Sequence, residues 1–173
     1  MVGAWPEPVE RVSSFLRESG VEARIHEFPD GTASAQDAAD AVGCDLGQIV
    51  KSLVFVCDER PVVALVPGDR KGDPAKVARA VEAKSARVAK AKEVEAATGF
   101  EPGAVAPFPL PKVDTVLMER ALYHHDIVWA GAGSHKHVLG ISPTDLGRLA
   151  RVRPMDVVAD QPYDSTTAKE TRA

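Results

Sequence analysis

Residues 48–66, QIVKSLVFVCDERPVVALV, decide the fold class. Two apolar, β-branched runs, Gln48 to Cys57 and Pro61 to Val66, are parted only by Asp58-Glu59-Arg60. So short a polar break between two such runs predicts neighbouring strands joined as a hairpin. One residue breaks the pattern. Lys51 interrupts a strand that otherwise reads as buried on both faces, and an isolated ammonium is costly to bury. It either snorkels outward from the start of the strand or projects into a pocket to meet a phosphate, carboxylate or carbonyl.

Upstream, Val9, Val12 and Leu16 recur at helical spacing from Glu7 to Ser19, with Gly20 as the stop. Glu22 to Phe28 alternates as a half-buried strand, and Pro29-Asp30-Gly31 turns the chain. Ser34 caps a helix that runs through Val42 and closes at Gly43. Downstream, Asp73-Pro74 opens a helix reaching about Ala83, with Val77, Ala80 and Val81 inward and Lys76 and Arg79 on another face. A short strand at Ala86 to Val88 leads to a helix from about Lys92 to Thr98. Pro102, Pro107, Pro109 and Pro111 then impose a structured loop. Thr115 to Met118, Ile127 to Ala130 and Val138 to Ile141 read as strands, and Pro143 to Ala150 as a helix. Strands and helices mixed without strict βαβ alternation predict an α+β domain with a mainly antiparallel or mixed central sheet and surrounding helices. One domain is expected over residues 1–159, with a polar tail over 160–173.

The chain has 173 residues, 45% apolar and 27% charged, and 21 basic against 25 acidic side chains give a net charge of -4. That balance argues against broad coating of nucleic acid, but the segment from Arg70 to Lys92 holds eight Lys or Arg against Asp73 and Glu82. This segment is either a solvated helical face or a surface for phosphates. No apolar run approaches the roughly 18 residues of a membrane span, and the first ten residues lack the basic-then-apolar order of a secretory signal. A cytoplasmic location with no membrane partner is expected. Cys44 and Cys57 build neither a disulfide framework nor a zinc knuckle, and His124-His125 and His135-Lys136-His137 lack the i,i+4 spacing of a zinc protease. No metal is expected.

Two glycine segments could carry chemistry. Gly103-Ala104-Val105-Ala106-Pro107-Phe108 is either a rigid pocket wall or a plain connector. Gly131-Ala132-Gly133-Ser134, after a strand, is either a plain turn or a set of N–H groups aimed at an oxyanion. His137 lies near that turn as a proton carrier or hydrogen-bond donor.

Taken in order, Gly31-Thr32-Ala33, the block from Gln48 to Phe55, Val66-Pro67-Gly68-Asp69, Thr98 to Phe108, Gly131-Ala132-Gly133 and Ser142-Pro143-Thr144-Asp145-Leu146 resemble the YbaK-like family of aminoacyl-tRNA deacylases. That family includes the editing domain inserted in bacterial prolyl-tRNA synthetase. The similarity covers roughly Val21 to Ala150. It implies a YbaK-like fold and hydrolysis of the ester joining a wrong amino acid to the 3′ adenosine of tRNA. Lys51 matches the lysine that binds and orients the acceptor end. Thr32, Ser52, Gly103, Pro107, Gly131, Gly133 and His137 match substrate-binding positions. Ser52 stands where alanine-specific members tend to have asparagine. Lys76 and Arg79 are the residues expected to meet tRNA phosphates.

An aminoacyl ester is already activated, so positioning and oxyanion stabilisation suffice without a cofactor. A second sieve is useful because a hydrophobic pocket separates amino acids one methylene apart by only about 1–3 kcal/mol. The implied partners are the aminoacyl-tRNA acceptor end and an aminoacyl-tRNA synthetase. Alternatives are a non-catalytic tRNA- or nucleotide-binding module and an accessory subunit of a synthetase.

Overall fold

In the computed structural model, which describes residues 5–160, the sequence around Lys51 forms the expected hairpin. Strand β2 (Ile49–Cys57) pairs antiparallel with β3 (Arg60–Pro67) from Val50↔Pro67 to Cys57↔Arg60. The turn is only Asp58-Glu59, and both residues take positive φ, 48° and 72°. Left-handed pairs of this kind match the twist of the two strands. The Asp58 carboxylate accepts the N–H groups of Lys84 and Ser85, at 2.9 and 3.2 Å, tying the turn to a later loop.

The other strands are β1 (Arg24–Glu27), β4 (Ala86–Val88), β5 (Thr115–Glu119), β6 (Val128–Gly131), β7 (His137–Ile141) and β8 (Arg153–Met155). They form one mixed sheet in the order β1-β7-β6-β2-β3-β5-β8, with β4 on the second edge of β2. Pairing is parallel at β2–β6, β3–β5 and β5–β8 and antiparallel elsewhere. The α+β fold with a mixed sheet is therefore the one expected. β8 was not foreseen, because a three-residue strand containing Pro154 carries no sequence pattern and is tolerated only at an edge.

The helices are α1 (Glu7–Ser19), α2 (Ala35–Val42), α3 (Pro74–Ala80), α4 (Ala91–Thr98) and α5 (Pro143–Ala150). Ser34 caps α2 by accepting the Asp37 N–H, and Asp73 caps α3 by accepting those of Ala75 and Lys76. α3 ends at Ala80 rather than near Ala83, because Glu82 turns left-handed at φ 57° and the Ala83 N–H returns to the Ala78 carbonyl at 2.9 Å. The alternation of β2 sorts the core. Val50 and Val54 face the main cluster with Val12 and Leu16 of α1, Val94 of α4 and Leu146 and Leu149 of α5. Phe55 and Cys57 face the opposite cluster with Val77 of α3. Ile49 packs against Ala38 and Ala39 of α2. Among the described residues no helix is long and apolar enough to cross a membrane. The tail expected after Asp160 lies outside the described residues.

An exposed ion pair fixes α4 against β4. Both guanidinium nitrogens of Arg87 donate to the Glu93 carboxylate at 2.8 Å, and the Lys90 N–H donates to the same group at 2.8 Å. These bonds, Arg87 first, pull the Glu93 carboxyl from 4.5 down to about 2. A depressed carboxyl contributes stability above its unfolded value and loses it as pH falls through the folded one. Glu93→Gln should therefore lower the melting temperature slightly at pH 7, with wild type and variant converging between pH 4.5 and 2 when followed by circular dichroism.

Candidate active site

The free edge of β2 changes partner along its length. Ile49 and Val50 pair with Trp129 and Ala130 of β6, while Phe55 to Cys57 pair with β4. Between them β2 has no strand beside it, and a cavity of about 280 Å³ opens there. Its walls are β2 from Ile49 to Leu53, the loop leading into α2, the Gly103 to Val105 segment and the β6–β7 turn. Of the residues singled out in the sequence, Thr32, Lys51, Ser52, Gly103, Gly131 and His137 line this cavity.

The Lys51 ammonium donates to the Arg70 carbonyl at 2.7 Å. Burial lowers its pKa below 10.5, and the Asp69 carboxylate partly opposes that. The carbonyl is held in turn, because the Arg70 guanidinium donates to the Ala159 carbonyl at 2.7 Å. Ser52 Oγ is buried with no hydrogen-bond partner. That leaves a polar atom beside the cavity whose bonding capacity is unspent.

Thr32 closes the opposite wall. Its N–H and hydroxyl both donate to the His135 carbonyl, at 2.7 and 3.1 Å, and Phe28 N–H donates to the Lys136 carbonyl at 2.7 Å. Gly103 passes beneath the His135 ring with φ 81°, where an added Cβ would stand 3.1 Å from Cε1. Gly131 is looser, since a Cβ there would meet the Val105 carbonyl oxygen at 3.4 Å.

His137 is 2% exposed and stands edge-on to Trp5. The Lys136 N–H donates to Ser134 Oγ, and that hydroxyl is hydrogen-bonded to His137 Nδ1. With the serine hydrogen donated to Nδ1, a neutral ring carries its proton on Nε2, which lies 3.2 Å from Glu27 Oε2 without hydrogen-bond geometry.

A model of the aminoacyl-tRNA editing domain matches residues 29–149. The chain belongs to that family. A candidate Cys-tRNA(Pro)/Cys-tRNA(Cys) deacylase of Enterococcus faecalis, EbsC, is 33% identical over 112 residues, 64% of this chain and 68% of that protein. A proline–tRNA ligase of Nitratidesulfovibrio vulgaris is 34% identical over 131 residues, 75% of this chain and 22% of the ligase. A solved structure described as a candidate trans-editing enzyme for prolyl-tRNA synthetase superposes with a TM-score of 0.84 at 31% identity, covering 90% of this chain and 99% of that one.

The editing domain leaves the other singled-out residues outside the cavity. Pro107 is buried in a separate groove with Phe15 and Leu149. Gly133, at φ 104°, lies against α1, where a Cβ would come within 2.9 Å of the Pro8 carbonyl. Lys76 is held by Asp156 at 3.0 Å and Asp160 at 2.7 Å, and Arg79 is exposed. Among the described residues no group of three or more His, Cys, Asp or Glu is placed to hold a metal ion. Sequence reasoning missed Ser34, Trp129, Ser134 and His135 as cavity residues. Ser34 was legible only as a cap and Trp129 only as a strand residue, and the pairing of Ser134 with His137 was the one signal available.

Gly103→Ala forces a side chain into a left-handed backbone and against His135, which costs about 1 kcal/mol or more. Gly131→Ala meets only ordinary van der Waals contact. Thermal melts of the two variants should show a clear loss for the first and little change for the second.

Proposed function

We propose that this protein removes a wrongly attached amino acid from tRNA by hydrolysing the ester to the terminal ribose, acting on the acceptor end in the cytoplasm. The observation that carries the reading is the half-buried Lys51 ammonium, held by a single carbonyl at the wall of a small cavity in a chain of the editing family. An ammonium has three donors, so one bond to Arg70 leaves others for the ribose oxygens or terminal phosphate of an acceptor end. Gly103 and Gly131 let backbone come close enough to hold the carbonyl oxygen as it gains charge.

A water or the neighbouring ribose hydroxyl adds to the ester carbon. The tetrahedral intermediate expels the ribose oxygen, which takes up the proton given by the attacking group. If the hydroxyl attacks, the amino acid is passed to it and water completes the hydrolysis. Thr32, Ser52 and His137 shape the space around the amino acid, and the name of the Enterococcus relative points to cysteine as one to test.

Single-turnover deacylation across a panel of aminoacyl-tRNAs tests this directly. Release of one or a few amino acids supports it, and no release from any member makes the protein a binding module. Lys51→Met should abolish most of the activity with little change in melting temperature, because the buried stem is kept and a desolvated charge is removed. Lys51→Arg should also be impaired, since a planar fork does not replace a compact ammonium. The sign of the Lys51 shift adds a pH prediction. A cationic role is present below the depressed pKa and is lost as pH rises through it, so catalysed hydrolysis, corrected for the uncatalysed rate, should decline before pH 10.5.

Arg79 is proposed to meet tRNA phosphates, and Lys76 to contribute to the same field while tying down the segment around Asp156. Arg79→Glu should raise KM for intact aminoacyl-tRNA and flatten its salt dependence without changing kcat. Lys76→Ala should cost more in melting temperature than Arg79→Ala does. Equal effects of Arg79→Glu on intact tRNA and on a minimal aminoacyl-adenosine would remove the phosphate role.

A further inference from the structure

The cavity beside Lys51, at about 280 Å³, is at the small end of ligand pockets, and it suits one terminal group rather than a run of nucleotides. Next to it the outer face of the β1-β7-β6 end of the sheet forms an open groove of about 570 Å³. Trp129 belongs to both, lining the cavity and the groove alike. The indole lies across β7 because position 140 is glycine, where an added Cβ would stand 2.7 Å from Cζ3. On its far side the indole meets His26 of β1, ring centroids 5.3 Å apart, and His26 in turn stacks with Phe28 at 6.5 Å and 22°. Arg24, Gly140 and Trp129 stand abreast on three neighbouring strands. Ile127, 41% exposed, closes one end, while Glu22 is the acidic residue in the lining.

The main core lies on the opposite face with Ile25, Leu139 and Ile141, and although Trp129 also packs against the small cluster of Ile49, Ala38 and Ala39, the groove residues Arg24, His26 and Ile127 belong to no core cluster. Aromatic rings on an open surface, with a cation beside them, are what single-stranded nucleic acid uses, because every base has a π-face and every linkage a phosphate. We propose that this groove seats the unpaired nucleotides that precede the terminal adenosine of an acylated tRNA end, their bases stacking on Trp129 and His26 and a phosphate meeting Arg24. The proposal rests on the deacylase reading for what occupies the neighbouring cavity. Continuity through Trp129 is what commits the groove to the same strand.

The chain has two tryptophans, so Trp5→Phe leaves Trp129 as the only indole, read alone by excitation at wavelengths the tyrosines do not absorb. In that variant the trinucleotide CCA should quench the emission and bind about tenfold or more tighter than AMP, one stacked base being worth roughly that factor. Anisotropy of labelled CCA on the wild-type protein, competed with AMP, repeats the comparison without that substitution. His26→Ala should remove most of the advantage of CCA and leave AMP binding and hydrolysis of aminoacyl-adenosine unchanged. Equal binding of CCA and AMP, or no effect of His26→Ala on CCA, overturns the proposal. So does self-association in sedimentation that His26→Ala abolishes, which would assign the groove to a second copy of the chain. A deacylase that hydrolyses aminoacyl-adenosine and aminoacyl-CCA with equal kcat/KM sinks the groove and keeps the deacylase reading. Preferred binding of CCA with no deacylation of any aminoacyl-tRNA does the reverse.

Discussion

Strand β2 is hydrogen-bonded to β3 along one edge from Val50 to Cys57, but its other edge meets β6 only at Ile49 and Val50 and β4 only from Phe55 onward. A strand that twists away from one partner before it reaches the next leaves an interval without a neighbour. Here the interval holds Lys51 and Ser52, and three segments distant in the chain gather around it, the loop into α2, Gly103 to Val105 and the β6–β7 turn. Closing it with a continuous strand would yield a better sheet and no cavity. The hairpin register therefore does two things at once: it sets which side chains face the core, and it sets where the sheet is left open.

The electrostatics of the opening follow from the same placement. Lys51 is on the face of β2 that carries Phe55 and Cys57, so its stem runs through apolar surroundings and its charge is partly desolvated. It is kept there by a neutral acceptor, the Arg70 carbonyl, with the Asp69 carboxylate adding a favourable charge that partly opposes the desolvation. A direct carboxylate pair would hold the ammonium more firmly and would compete with any anionic or carbonyl ligand. The opposite wall is built by different means. Backbone bonds from Thr32 and Phe28 to the His135–Lys136 segment lock two loops together, and glycine at position 103 provides the clearance.

The periodic elements were legible because local pattern and tertiary placement agree: the hairpin, the capped helices α2 and α3, and the Gly43 stop all follow from residues within a few positions of each other. The order of motif blocks also carried the family, and from those blocks Lys51, Gly103 and Gly131 line the cavity whereas Pro107 and Gly133 do not. What stayed hidden depends on contacts across the chain. β8 is too short to have a period. Glu82 ends α3 through a left-handed turn that no helix propensity signals. Gly133 and Gly131 are two positions apart and look alike in sequence, yet one serves the packing of α1 and the other the cavity, a difference decided by Pro8 and Val105. Lys76 reads as a free surface cation until Asp156 and Asp160, 80 and 84 residues later, are folded against it.

The bond from Arg70 to Ala159 has a temporal meaning. Its two ends are 89 residues apart, and the segment around Ala159 also closes on Lys71 and Gly72 through backbone pairing. During synthesis the hairpin can form as soon as residue 67 is free, but the carbonyl that steadies Lys51 gains its own support only after Ala159 has emerged. A nascent chain thus has the hairpin available before it has a settled ammonium. The last support of the site therefore waits for the segment around Ala159, by which point the residues of every described strand and helix have been synthesised.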